Sequence, residues 1–263
     1  MTDRVALITG AGSGLGRATA IVLAQKGYRC VLAGRREAAI HAAADAIVAS
    51  GGMAEPVVAD ITVPEDRSRI AEHCVTGFGR LDVLVNNAGI SHQAPLLAAT
   101  PEDWRRVMAT NLDAMFFLAQ AALPTMRAQN FGRIINIGSV YGSLGMNAQL
   151  YGTMLAAETP LGPTRQVGYH ASKGGVLNLT RDLAVAVAPW GVTVNCISPG
   201  MFLTEQSEAV VDPDVIAALA KMTPAGRFGD PPEIGHAVAF LASDQAAFIT
   251  GVDLKVDGGW SIW

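Results

Sequence analysis

The sequence predicts a doubly wound α/β fold built on a parallel sheet, and three observations predict it. Short apolar runs rich in β-branched residues alternate along the chain with longer stretches of helical period. Those runs are apolar at nearly every position, as strands covered on both faces are. A glycine-rich turn follows the first run and leads directly into a helical stretch.

Seven runs read as strands in chain order: VALIT at 5–9, YRCVLA at 28–33, EPVVA at 55–59, LDVLV at 81–85, RIINI at 133–137, VTVNCI at 192–197 and VDLKV at 252–256. Amphipathic or alanine-rich stretches lie between them, including 15–25 and 101–127. Such alternation implies right-handed crossovers that put helices on both faces. No low-complexity linker interrupts the 263 residues, so the expectation is a single domain spanning 1–263. Two regions break the rhythm, 142–166 and 201–227. Their mixed Pro, Thr and Met content suits loops or short helices over a site.

Composition narrows the function classes. The net charge is −4 with no dense Lys/Arg tract, which argues against nucleic acid or an anionic membrane as partner. Stretches such as LAVAVA fall far short of the ~20 residues that cross a bilayer. The first strand begins almost at once, leaving no room for a signal peptide, and a cytoplasmic protein is expected. Cys30, Cys74 and Cys196 are odd in number and unpaired in spacing, which predicts buried free thiols. His41, His73, His92, His170 and His236 show no ligand spacing, so no catalytic metal is expected. Trp260, Ile262 and Trp263 put apolar weight at the C-terminus, where burial against the domain or a partner subunit is expected.

The first strand ends in Thr9-Gly10-Ala11-Gly12-Ser13-Gly14-Leu15-Gly16, a TGxxxGxG spacing. Glycines let a backbone turn tightly against a ligand, and the helix that follows offers unpaired N–H groups to a pyrophosphate. At the end of the second strand, where a carboxylate would hold a ribose 2′-hydroxyl, stand Arg35 and Arg36. A guanidinium there pairs with a 2′-phosphate, so NADP(H) is favoured over NAD(H).

Tyr169 and Lys173 fall at i and i+4 in YHASKGGVLNLTRDLAVAVA, a helical stretch, and share one face. A neighbouring ammonium favours a phenolate, so Lys173 is expected to lower the Tyr169 pKa and ready it for proton transfer. Such a pair is common on helices, and its weight here comes from the phosphate loop.

Together these motifs resemble the short-chain dehydrogenase/reductase family, and the resemblance runs the length of the chain. TGAGSGLG is similar to the family's cofactor loop, Asn86-Asn87-Ala88-Gly89 to its NNAG, Ser139 in INIGSVYG to its catalytic serine, and YHASK to its YxxxK. Asn111 in ATNLDAMF resembles its helix asparagine, Pro199-Gly200 with Thr204 its PGxxxT, and ITGVDLKVDGG its last strand and turn. The resemblance implies a seven-stranded Rossmann-like sheet of order 3-2-1-4-5-6-7 and a homotetramer. It implies Tyr169 as acid and base, Ser139 on the reacting oxygen, Lys173 on the nicotinamide ribose and Asn111 holding a water near Lys173. Gly10, Ser13, Gly14, Leu15, Gly16, Arg35, Asp60, Ile61, Asn87, Ala88, Gly89, Pro199, Gly200 and Thr204 become the cofactor-binding set, joined by Tyr169 and Lys173.

One departure stands out. Ser139 and Tyr169 lie much farther apart than the family's usual dozen residues, so 144–166 reads as an insertion. Tyr151 lies near the usual distance, but Leu155 occupies the lysine position, which makes Tyr151 a decoy. The long segment is similar to that of gluconate 5-dehydrogenase-type members and points to a sugar or polyol substrate. The alternative is a 3-oxoacyl thioester, whose acidic carrier needs basic residues at the pocket mouth; the flanking segments offer Arg165 and Lys221. A non-catalytic dinucleotide sensor is the reading from another class, and the complete Asn111, Ser139, Tyr169, Lys173 set argues against it. His92, after NNAG, and His170, beside Tyr169, read as structural or surface residues.

Overall fold

The computed structural model describes residues 3–147, 150–151, 156, 158–204 and 212–262. Parts of both irregular regions (148–149, 152–155, 157 and 205–211) and Trp263 lie outside the described residues. Numbering only the strands of the main sheet, β1 is Val5–Thr9, β2 Arg29–Gly34, β3 Met53–Val58, β4 Val83–Asn86, β5 Gly132–Ile137, β6 Val192–Pro199 and β7 Asp253–Val256. All neighbours pair in parallel in the order β3-β2-β1-β4-β5-β6-β7, as the family resemblance implied.

The strands alternate their side chains between two cores. Val5 and Leu7 of β1 join one core, with Ile70 of α3 (Pro64–Phe78), Leu118 of α5 (Ala114–Gln129) and Leu183 of α6 (Val167–Val187). Ala6 and Ile8 point the other way, onto Leu23 of α1 (Gly14–Gln25), Ile40 of α2 (Glu37–Ala49) and Val238 of α8 (Pro231–Ala242). Strand residues of period two buried on both sides explain why the runs are apolar throughout. A polar staple starts β1: the fully buried Asp82 accepts from the Val5 N–H at 2.8 Å and is gripped by Arg80 at 2.7 and 2.8 Å.

Two expectations need correction. The helical stretch 101–127 is not one helix: α4 (Pro101–Met108) passes through a widened π-turn at Ala109–Asp113 before α5 begins. The cause is a long-range tether, since Asn111 within the turn accepts from the Ile90 N–H and donates to the Ile90 carbonyl, both at 2.8 Å. Insertions of this kind into helices gather at functional sites. The segment 144–166 is also less irregular than expected. Thr164–Arg165 pairs antiparallel with Ala94–Pro95, and Leu96 and Leu97 donate to the carbonyls of Pro163 and Leu161. The segment 201–227 contains α7 (Pro213–Met222), in line with a short helix there.

Leu84, at the centre of the sheet with none of its surface exposed, tests the two-sided core. Leu84→Ala is expected to lower the unfolding free energy by about 3 kcal/mol, read from urea denaturation, with the urea dependence unchanged.

Candidate active site

A cleft of about 800 Å³ opens along the carboxyl ends of the strands. The loops after β1, β2, β3, β4, β5 and β6 all line it. The β1–β4 pair is where the strand order reverses, and ligands of open α/β sheets bind in that crevice.

The loop after β1 wraps the start of α1. Gly10 and Gly14 hold φ of +64° and +54°, a conformation that favours glycine. A Cβ on Gly16 would lie 2.4 Å from the Gly10 carbonyl oxygen and 2.4 Å from Asn87 Nδ2, so only glycine passes there. Ser13 occupies the N-cap without capping; its hydroxyl instead accepts from Arg36 at 2.7 Å. The first N–H groups of α1 are thus left without a side-chain cap at the cleft, the arrangement that binds phosphate. Thr9 and Asn87 lock this loop to β4. The Thr9 hydroxyl accepts from the N–H groups of Asn87 and Ala88, each at 3.0 Å, and Asn87 Nδ2 returns to the Thr9 carbonyl at 2.9 Å.

The structure brings the predicted cofactor residues together: Gly10, Ser13, Gly14, Leu15 and Gly16 line the cleft with Asn87, Ala88, Gly89, Pro199, Gly200 and Thr204. Arg35, Asp60 and Ile61 line it on the far side of the loop. Arg35 lies 3.7 Å from Asp60, and both are solvent-accessible. Burial works to raise the Asp60 pKa, but two hydrogen bonds from Thr62 and the Arg35 charge take it below its ordinary value. Arg36, named with Arg35 at the end of the second strand, lines the cleft as well.

At the other end of the cleft, α6 presents Tyr169 and Lys173 one turn apart, opposite Ser139 at the end of β5. Lys173 is buried, and its ammonium donates to the Ile137 carbonyl at 2.6 Å. Asn111 braces the same region, its amide donating to Ser172 Oγ at 3.1 Å. The expected lowering of the Tyr169 pKa by Lys173 is not what the structure shows. Burial raises the phenol, opposed by a hydrogen bond involving Ser139, while burial lowers Lys173 to about 8. The ammonium lies 5.7 Å from the Tyr169 ring centroid, and desolvation is the largest influence on both groups.

Tyr151, set aside as a decoy, lines the cleft together with Tyr141, and their hydroxyls are in hydrogen-bond contact. The signal for Tyr141 was available, two residues past Ser139; that for Tyr151 was obscured by Leu155. His170 takes a structural place: its ring packs on Tyr141 at 4.7 Å. His92 turns away, lying 3.4 Å from Asp103 and 3.2 Å from Arg106, in a small separate hollow that Arg165 also lines. The three cysteines are buried and free, and burial raises Cys30 and Cys74 to about 12 and Cys196 to about 11. Ile262 is 84% exposed, so the domain itself does not cover that part of the C-terminus. No helix of the described residues is long and apolar enough to cross a membrane.

The family model described as enoyl-(acyl carrier protein) reductase matches residues 10–261. The chain is 41% identical over 260 residues to a 3-oxoacyl-(acyl-carrier-protein) reductase FabG of Vibrio cholerae, covering 98% of each. This chain is a short-chain dehydrogenase/reductase. The dehydrogenase/reductase of the same name in Escherichia coli is 37% identical over 256 residues, 97% of this chain and 96% of the relative. A short-chain type dehydrogenase/reductase from Mycobacterium marinum has the same fold, with TM-score 0.88 and 32% identity over 99% of this chain and 96% of that one. A putative gluconate dehydrogenase from Agrobacterium tumefaciens matches as well, with TM-score 0.88, 32% identity and the same coverage. As a short-chain dehydrogenase/reductase, the protein is an NAD(P)-dependent oxidoreductase acting on CH–OH groups.

Lys173 gives the short-chain dehydrogenase/reductase a pH signature. Its folded pKa of about 8 lies below the ordinary 10.5, so the unfolded chain binds more protons between those values. Folding stability is therefore expected to rise as pH climbs from about 8 toward 10.5, relative to Lys173→Met, in paired denaturant titrations at pH 7.5 and 9.5.

Proposed function

We propose that the enzyme reduces the 3-oxo group of an acyl thioester to a hydroxyl with NADPH. The charge of the cleft carries this reading. Among its described lining residues the cations are Arg35 and Arg36, beside the phosphate loop, and Lys173, under Tyr169. The undescribed segments 148–149, 152–155, 157 and 205–211 hold no Lys, Arg or His. A sugar acid would bring a carboxylate to a substrate end whose one described cation, Lys173, is buried and already donates to the Ile137 carbonyl, which is costly. A neutral thioester needs none, and Ile90, Val140, Met146, Met201 and Phe202 offer it apolar surface. The full-length similarity to 3-oxoacyl reductases supports the same choice.

For an acidic carrier the structure adds Arg106, itself paired with Asp103 at 3.0 Å, to the Arg165 of the flanking segment. Arg106 and Arg165 gather beside His92, next in the chain to the cleft-lining Ser91. A sugar or polyol remains the second reading, favoured by the likeness to the putative gluconate dehydrogenase.

The residues present fit a dinucleotide: an uncapped helix start framed by glycines for the pyrophosphate, and two guanidinium groups beside it for a 2′-phosphate. When bound, the reduced nicotinamide supplies the hydride. Tyr169 gives the proton to the carbonyl oxygen as negative charge develops on it, and its burial keeps the phenol protonated until then. Ser139 donates a hydrogen bond to the same oxygen. Lys173 holds the nicotinamide ribose, and Asn111 keeps the α4–α5 turn and Ser172 in place behind Tyr169. The complete set favours turnover over sensing.

The protein is proposed to work as a homotetramer. Phe117 and Val185 are exposed on α5 and α6, while Phe248 and Ile262 are exposed near the edge strand β7. Two apolar patches on separate faces are what a tetramer of dihedral symmetry needs. Light scattering is expected to give four times the mass of the chain; a monomer would overturn this assignment.

Absorbance at 340 nm, followed with NADPH and NADH against 3-oxoacyl thioesters, sugar acids, ketoses and simple ketones, tests the function. Turnover is expected with the thioesters and NADPH, falling about 1,000-fold in Tyr169→Phe. Arg35→Asp is expected to narrow the NADPH preference at least tenfold. Turnover confined to sugar acids would sink the thioester reading.

A further inference from the structure

Residues 144–166 bring a second phenol to the cleft, and its placement gives that segment a task. Tyr151 meets Tyr141 hydroxyl to hydroxyl, and both line the same cleft as Ser139 and Tyr169. Tyr141 belongs to the short turn Val140–Gly142 that follows Ser139, and the His170 ring backs it at 4.7 Å. Tyr151 also lies 4.0 Å from Met201 Sδ in the loop after β6. The pair therefore joins three separate segments at the substrate end.

Tyr151 is not a second proton donor for the reaction. Leu155 stands where a lysine would have to be, and the cleft's nearby cation, Lys173, lies under Tyr169. Two phenols in contact share one O–H between them and keep one O–H to donate elsewhere. Burial raises the pKa of both, so each stays a neutral donor through the physiological range.

We propose that the Tyr141–Tyr151 pair is a substrate-binding station that donates a hydrogen bond to a neutral oxygen next to the carbonyl being reduced. In a 3-oxoacyl thioester that atom is the thioester carbonyl oxygen, an identification that rests on the proposed function. The pair thereby selects substrates with two oxygens in a 1,3 relation over simple ketones. A site built to bond an oxygen rejects an analogue without it, because the half-buried donor is left unpaired under the substrate.

The test compares a 3-oxobutanoyl thioester with a ketone of equal length lacking the second oxygen, for the wild type, Tyr151→Phe and Tyr141→Phe. Tyr151→Phe keeps the ring and removes the hydroxyl, and NADPH affinity by fluorescence checks that each variant is folded. In both variants kcat/KM for the thioester is expected to fall about tenfold more than for the ketone, mainly through KM. Equal losses for the two substrates, or no loss, would overturn the assignment. Failure of the function itself reads differently: the wild type then reduces no thioester. In that case saturation-transfer NMR of ethyl 3-hydroxybutanoate and of the matched plain alcohol, bound to the protein with NADP⁺, decides the point. Weakening of the hydroxy ester alone in Tyr151→Phe supports the pair, and parallel behaviour of both ligands rejects it.

Discussion

The site depends on how closely α1 approaches the end of β4. Gly16 packs against the Gly10 carbonyl and Asn87 with no space for a Cβ, and Thr9 and Asn87 exchange hydrogen bonds across the β1–β4 junction. This contact aims the positive end of α1 into the crevice. It also sets where the chain turns after β4, and so where Ile90 meets Asn111. From Asn111 the bracing passes through Ser172 to the turn of α6 that carries Tyr169. A few polar contacts thus relate the phosphate loop to the proton donor across the width of the sheet.

Burial governs the chemistry at the Tyr169 end. It penalises the charged form of each group, raising the phenol and lowering the ammonium, and so works against a phenolate–ammonium pair from both sides. A protonated phenol suits reduction, in which it gives up its proton to a forming alkoxide. The ammonium's hydrogen bond to the Ile137 carbonyl fixes Lys173 without bringing a compensating charge. Positive charge at this end is scarce, and its scarcity bears on which substrates can enter.

The segment 144–166 changes the walls of the cleft while leaving the catalytic geometry on α6 and β5. The antiparallel pairing of Thr164–Arg165 with Ala94–Pro95 fastens its end to the loop that follows β4, while Tyr151 meets Tyr141. On the proposed function, selectivity falls to a loop and proton transfer to rigid elements, a common division in enzymes.

The sheet was legible because strands buried on both faces carry unbroken apolar runs, a purely local pattern. The phosphate loop and the Tyr169–Lys173 pair were legible for a similar reason: glycine spacing and i, i+4 spacing are short-range constraints. Strand order came from likeness to a family and was then seen in the pairing itself. Sequence did not reveal the π-turn at Ala109–Asp113, because its cause is Ile90, 21 residues from Asn111. Nor could it reveal Arg36 on Ser13 or Tyr151 on Tyr141, contacts made by side chains whose separation in the chain says nothing of their distance in space. The direction of the Tyr169 pKa was misread because spacing reports a neighbouring charge, whereas desolvation is set by everything packed around the group. What the sequence determined was the scaffold and which residues are candidates for the site; the tertiary structure decided their environment, since burial and long-range contact exist only once the chain has closed.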